Sequence, residues 1–128
     1  MLKLHNPPTA PKPVSSYAQA VEAPASGRWL YISGQVGLRP DGTTVKGAAA
    51  QADQAWSNIR ALLNVARMDV ENLVHVNTYL VNAADIAAAR QARDKVLKGH
   101  TPASTMVVVA SLANPEWMIE IEAVARKE

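Results

Sequence analysis

Apolar and polar positions along the chain change period several times, and each change marks an element. From Ala48 to Ala66 the residues Ala52, Ala55, Trp56, Ile59, Leu62, Leu63 and Ala66 recur every three or four positions, with Asp53, Ser57, Arg60, Asn64 and Arg67 opposite. That spacing predicts a long amphipathic helix with one buried stripe. A second, alanine-rich helix is expected from Asp85 to Leu97, stopped by Gly99. Period-two alternation predicts a strand at Arg28–Ser33, with Trp29, Tyr31 and Ser33 on one side and Leu30 and Ile32 on the other. The same argument predicts a strand at Leu73–Leu80 that shows Val74, Val76, Thr78 and Leu80 on one face. Tyr17–Val21 is expected as a short strand hairpinned to Arg28–Ser33 through Ala23-Pro24-Ala25-Ser26-Gly27. Thr105–Ala110 and Trp117–Ala125 are two further strands around a turn at Ala113-Asn114-Pro115. The order is ββαβαββ, an α+β chain in which two helices can cover only one face of the sheet.

That count leaves a problem. The run Met106-Val107-Val108-Val109-Ala110 is apolar on both faces, and a monomer would expose part of it. An uncovered apolar patch of this kind marks an interface, so a closed homo-oligomer is expected, with strands of neighbouring copies meeting. The length, 128 residues, suits a single domain over 1–128, opened by an extended leader at 1–16 that carries Pro7, Pro8, Pro11 and Pro13. No apolar run approaches the roughly 20 residues of a membrane span, and the start lacks a signal-peptide core, so a soluble cytoplasmic protein with no membrane partner is expected. The absence of cysteine excludes disulfides, thiolate metal sites and a cysteine nucleophile. A net charge of +2 from scattered basic residues provides no stripe for nucleic acid.

The last predicted strand carries two carboxylates, Glu120 and Glu122, among apolar neighbours. A charge in a core strand costs free energy unless it is paired, hydrated or used. A half-buried carboxylate can serve as an acid/base near neutral pH; equally, Glu120 can cap a neighbouring strand or face solvent at a rim. Glu122, roughly 7 Å along the same face, is expected to be structural. His5, His75 and His100 are far apart and lack metal-ligand spacing, so no metal site is expected. His75, between Val74 and Val76, is expected at an interface or in a hydrogen bond, and His100 is a candidate to line a cleft.

Four segments together resemble the reactive-intermediate deaminase (RidA/YjgF) family: Ser16-Tyr17-Ala18-Gln19-Ala20-Val21, Ser33-Gly34-Gln35-Val36, Pro102-Ala103, and Ile119-Glu120-Ile121-Glu122-Ala123-Val124-Ala125. The resemblance implies a chorismate-mutase-like fold assembled as a homotrimer, with clefts between subunits and no cofactor. It also implies hydrolysis of small enamines and imines to keto compounds and ammonia. Carried over residue by residue, it puts the water-activating glutamate at Glu120, the cleft tyrosine at Tyr17 and the strand serine at Ser33, with Gly34 beside it against the substrate.

The departures from the pattern concern substrate binding. Active members have an arginine after Pro-Ala that grips the substrate carboxylate; here the position is Ser104. A neutral hydroxyl in place of two charge-assisted bonds weakens binding of a 2-imino acid by roughly ten- to several-hundred-fold. Arg90, where the family often has asparagine, is a candidate to restore a positive charge, or else is a solvated helix residue paired with Asp94. Met106 replaces a cysteine and makes the cleft wall more apolar. Arg67 replaces a helix-ending glycine, at a cost of about 1 kcal/mol if its backbone is left-handed. An imine hydrolase lacking the usual carboxylate grip is therefore the leading reading. A non-catalytic module holding a metabolite in the same cleft is the alternative, and the family's association with RNA cleavage ranks third.

Overall fold

The computed structural model describes residues 1–128. Its main sheet has four strands: β3 (Arg28–Gln35), β4 (Leu73–Leu80), β5 (Ala103–Val108) and β6 (Ile119–Lys127), in the spatial order β3-β6-β4-β5. Helices α1 (Ala48–Val65) and α2 (Ile86–Leu97) pack on the sheet. This is the expected α+β architecture, and the helix boundaries agree with the periodicity to within a residue or so.

The core lies between helices and sheet. Ala52, Ala55, Trp56, Ile59 and Leu63 of α1 meet Ile119, Ile121, Ala123 and Ala125 of β6, all almost completely buried. Alternation along β6 therefore sends Glu120, Glu122 and Val124 to the opposite face, which no helix covers. Tyr31, paired with Val124, is 75% exposed on that open face, and Val107 of β5 is 41% exposed. The uncovered apolar surface expected from the sequence is thus present.

Strand pairing departs from the expectation in two places. The strand expected at Tyr17–Val21 does not join β3. Instead β2 (Ala20–Glu22) pairs antiparallel with β1 (Lys3–His5), a strand formed by the proline-rich leader ahead of its first proline. Gln19 amide donation to Asn6 (2.8 Å) and the His5–Glu22 contact (2.9 Å) hold this ribbon together, so pairing with the leader replaces the shorter-range hairpin. In addition, β5 and β6 are not neighbours. β4 lies between them, parallel to β5 through the α2 crossover and antiparallel to β6. The observed spans, Ala103–Val108 and Ile119–Lys127, are each displaced by about two residues from those predicted.

Two irregularities tune the sheet. In β4 the register shifts between Leu73 and His75, so Leu73 is fully buried while Val74, expected on the core face, is only half-buried. In β3 the register shifts between Ile32 and Gln35, so Ser33-Gly34 form a bulge opposite β6. Past α1, Arg67 has φ 58°, the left-handed conformation considered above.

Candidate functional site

Gln51 sets where β6 begins. This side chain is 2% exposed in α1; its amide donates to the carbonyls of Val45 (3.1 Å) and Glu116 (2.9 Å), and its oxygen accepts from the Met118 amide (2.7 Å). One buried polar group thereby pins the turn ahead of β6 to the helix, and Glu120 follows two residues later.

Glu120 is half-buried on the open face and makes no hydrogen bond or ion pair within the chain. Its carboxylate lies over the β3 bulge. A Cβ added at Gly34 would collide with Glu120 Oε2 and stand 2.7 Å from its Cδ. Glycine is needed here for close approach, since Gly34 has no positive φ. Ser33, its neighbour in the bulge, is exposed. Ser33, Gly34 and Glu120 are therefore brought together by the β3–β6 pairing.

Beside them, Glu122 is tied into the sheet. Its Oε1 accepts from the Tyr79 hydroxyl (2.7 Å) and from the Asn77 amide (3.1 Å). These two donors hold the carboxyl below the usual carboxylate range, with His75 adding a smaller electrostatic pull, while the bond to Glu122 pushes the Tyr79 phenol up. Glu122, Ser33, Tyr31, His75 and Asn77 line a hollow of about 280 Å³ on the open face. Sequence reasoning gave Glu122 a structural part; its donors sit on β4, whose pairing with β6 no local pattern announces.

The other candidates lie elsewhere in the same chain. Tyr17 sits outside β5, because Ala18 bridges to Ala103 and donates to the Pro102 carbonyl (3.1 Å). Its hydroxyl accepts from the Val14 amide (3.3 Å). Two strands, β4 and β5, separate this segment from β6, roughly 14 Å at the usual ~4.8 Å per strand. Ser104 pairs with Val76, so it faces the helix side of the sheet, where its hydroxyl is buried with no partner. Met106 packs against the core. Arg90 is half-buried and unpaired on α2; Asp94 binds Arg93 instead (3.0 Å), and Arg93 reaches Ser15 (3.3 Å). The His75 side chain makes no hydrogen bond within the chain, whereas the His100 ring is engaged by the Leu73 carbonyl (2.8 Å). No cluster of three His, Asp or Glu side chains is placed to hold a metal ion, and no helix is long and apolar enough to cross a membrane.

Comparison with known proteins adds an independent line. Residues 7–127 match the family model described as Endoribonuclease L-PSP. A RutC family protein of Pyrococcus horikoshii is 36% identical over 121 residues, covering 93% of each chain. A 2-iminobutanoate/2-iminopropanoate deaminase of Mus musculus is 35% identical over 118 residues, covering 91% of this chain and 84% of that one. Among solved structures, a protein of unknown function of the conserved Rid family from Yersinia pestis superposes with a TM-score of 0.89 at 35% identity, over 98% of both chains.

Proposed function

The chain belongs to the Endoribonuclease L-PSP family, the RidA/YjgF proteins, and from that premise we propose that it hydrolyses a small imine or enamine with Glu120 as its acid/base. The observation that carries this reading is the state of Glu120: half-buried, seated on a glycine backbone, and engaged by no group of its own chain. Such a carboxylate is free to take a proton. Water attacks the imine carbon as Glu120 accepts its proton. Glu120 returns that proton to nitrogen, and as the carbon–nitrogen bond breaks the remaining hydroxyl proton of the carbinolamine is also passed to nitrogen, so that ammonia leaves and the oxygen becomes the carbonyl. Ser33, exposed in the bulge beside Gly34, is suited to orient the water.

Assembly follows from the same argument. Tyr17 is roughly 14 Å from the strand of Glu120 within one chain, so it joins the site only from a neighbouring copy. The exposed Tyr31 and Val107 offer surface for that contact, and we assign a homotrimer with a cleft between subunits. The substrate is small and weakly held at its carboxylate, because Ser104 offers no charge and its hydroxyl is buried on the helix side; Arg90, unpaired on α2, is the cation available to take that part. No cofactor is invoked, and the dispersed basic residues argue against a nucleic-acid substrate.

The test is 2-iminobutanoate generated in situ by a threonine dehydratase, with ammonia release followed with and without the protein. Acceleration by the wild-type protein and its loss, by about 10²-fold or more, in Glu120→Gln is expected. Wild-type protein that leaves the spontaneous rate unchanged refutes catalysis on imino acids, and undiminished activity in Glu120→Gln refutes the assignment of the base.

A further inference from the structure

The buried stripe of α2 contains one residue that an apolar period does not call for. Ala89, Ala92 and Leu97 are buried there, and Arg93 lies among them, only 3% exposed, at a position suited to leucine or methionine. A charge held out of water costs free energy unless it is paired and hydrogen-bonded. Arg93 has two partners. Its Nε donates to Asp94 Oδ1 (3.0 Å), and its Nη2 donates to Ser15 Oγ (3.3 Å). The first bond goes to the next residue of the same helix and fixes nothing beyond α2. The second crosses from the helix layer to the leader.

Ser15 belongs to a turn that is closed on itself. The Tyr17 amide donates to the Ser15 carbonyl (3.0 Å), and the Tyr17 hydroxyl accepts from the Val14 amide (3.3 Å), which folds the phenol back over the turn. Just past it, Ala18 is fixed to the start of β5 by its bond to the Pro102 carbonyl (3.1 Å). Ser15 carries the one side-chain hydrogen bond that ties Val14–Tyr17 to the helices. The turn is thus held at two points, by β5 behind it and by the Arg93 guanidinium. We propose that Arg93 is a positioning residue for Tyr17: it clamps the turn against α2 and so sets where the phenol enters the site of the neighbouring copy. The Tyr17 hydroxyl keeps its own proton to donate there, because the Val14 bond uses it only as an acceptor. This inference rests on the hydrolytic reading, in which Tyr17 acts across subunits, and adds to it a residue that touches neither Glu120 nor the substrate.

The test is Arg93→Met, which removes the guanidinium and leaves an apolar stem suited to the stripe. Asp94 is half-exposed and returns to water, so the fold is expected to survive. The first measurement is native-state hydrogen exchange on the full-length, assembled protein. Exchange at the Val14 and Tyr17 amides is expected to quicken about tenfold or more, with α2 and β6 unchanged. Unchanged exchange at those two amides overturns the proposal. So does equal acceleration throughout α2 and β6, which would make Arg93 a support of the whole fold. Should Arg93→Met fail to fold, Ser15→Ala removes the acceptor alone; it is expected to quicken the same two amides, and its failure to do so is equally fatal. The second measurement is imine hydrolysis. In Arg93→Met, kcat is expected to fall about tenfold or more with KM within about threefold of wild type, the mark of a displaced group rather than lost binding. Co-expression then locates the effect. Arg93→Met copies mixed with Glu120→Gln copies are expected to regain activity, because Glu120 of the first meets an intact Tyr17 turn of the second. Mixed with Tyr17→Phe copies they are expected to regain none, and the reverse pattern overturns the proposal. Wild-type protein that hydrolyses no imine sinks the hydrolytic reading and the part given to Tyr17, whereas the exchange rates, which need no substrate, decide separately whether Arg93 holds the turn.

Discussion

Gly34→Ala is the sharpest probe of the Glu120 site, because one methyl group separates geometry from chemistry. The new Cβ would collide with Glu120 Oε2 and lie 2.7 Å from Cδ and 2.8 Å from Cγ. Ordinary carbon–carbon contact is about 3.5–4.0 Å, so the carboxylate must retreat by roughly 1 Å. The obstacle is the far end of a flexible side chain on an open face, so the retreat costs the fold little. Gly34 has no positive φ, and alanine there reduces the entropy of the unfolded chain, worth about 0.4–1 kcal/mol in favour of folding. Stability is accordingly expected to stay within about 1 kcal/mol of wild type, a Tm change of no more than about 4 °C. A displacement of ~1 Å at a reacting group costs about 10²-fold in rate, or ~2.7 kcal/mol of barrier. The assay is kcat/KM for imine hydrolysis set beside thermal melting of the same sample. Wild-type kcat/KM in Gly34→Ala would refute the claim that the seated position of Glu120 matters. A loss of activity that merely tracks a large fall in Tm would show instead that Gly34 serves folding.

Two further outcomes follow from the hydrogen bonds around β6. Glu122 has a lowered folded-state pKa, so its contribution to stability is present above the unfolded carboxylate value of about 4.3 and is lost as pH falls through the folded value. The raised Tyr79 pKa runs the other way: its contribution is present below the unfolded value of about 10 and is lost as pH rises through the folded one. Tyr79→Phe should therefore lose about 1 kcal/mol in urea unfolding at pH 7 and show a shallower decline of stability below pH 4 than wild type; parallel acid limbs would contradict the linkage. Gln51→Ala strips partners from two carbonyls and one amide in a buried turn, and should cost about 3 kcal/mol by urea unfolding. A cost below ~1 kcal/mol would mean that water replaces the amide.

The residues of the site were legible in the sequence to different degrees. Glu120 stood out because a charge in an apolar strand demands an explanation, and that argument needs only the strand itself. The β3 bulge that carries Gly34 was not legible, since a bulge is defined by the partner strand's register rather than by the bulged residues. The anchoring of Glu122 was not legible for a related reason: its donors, Asn77 and Tyr79, are more than forty positions away in sequence. Ser104 shows the reverse, for its side chain faces the helices, a direction fixed by parallel pairing with Val76.

What the chain alone determined is whatever rests on near neighbours. Helical and strand periods, the stops at Gly99 and before Pro102, and the excess of apolar strand surface over helix cover all depend on residues within a turn or two of one another. Which strand lies beside which was decided only by the tertiary structure. The β4–α2–β5 crossover placed β4 between β5 and β6, and Ala20–Glu22 pairs with the leader rather than with β3. Those choices turn on competition among distant hydrogen-bonding edges and on the fit of two helices over one face. They decided that Glu120 meets Gly34, that Glu122 meets Tyr79, and that Tyr17 stands two strands away from both.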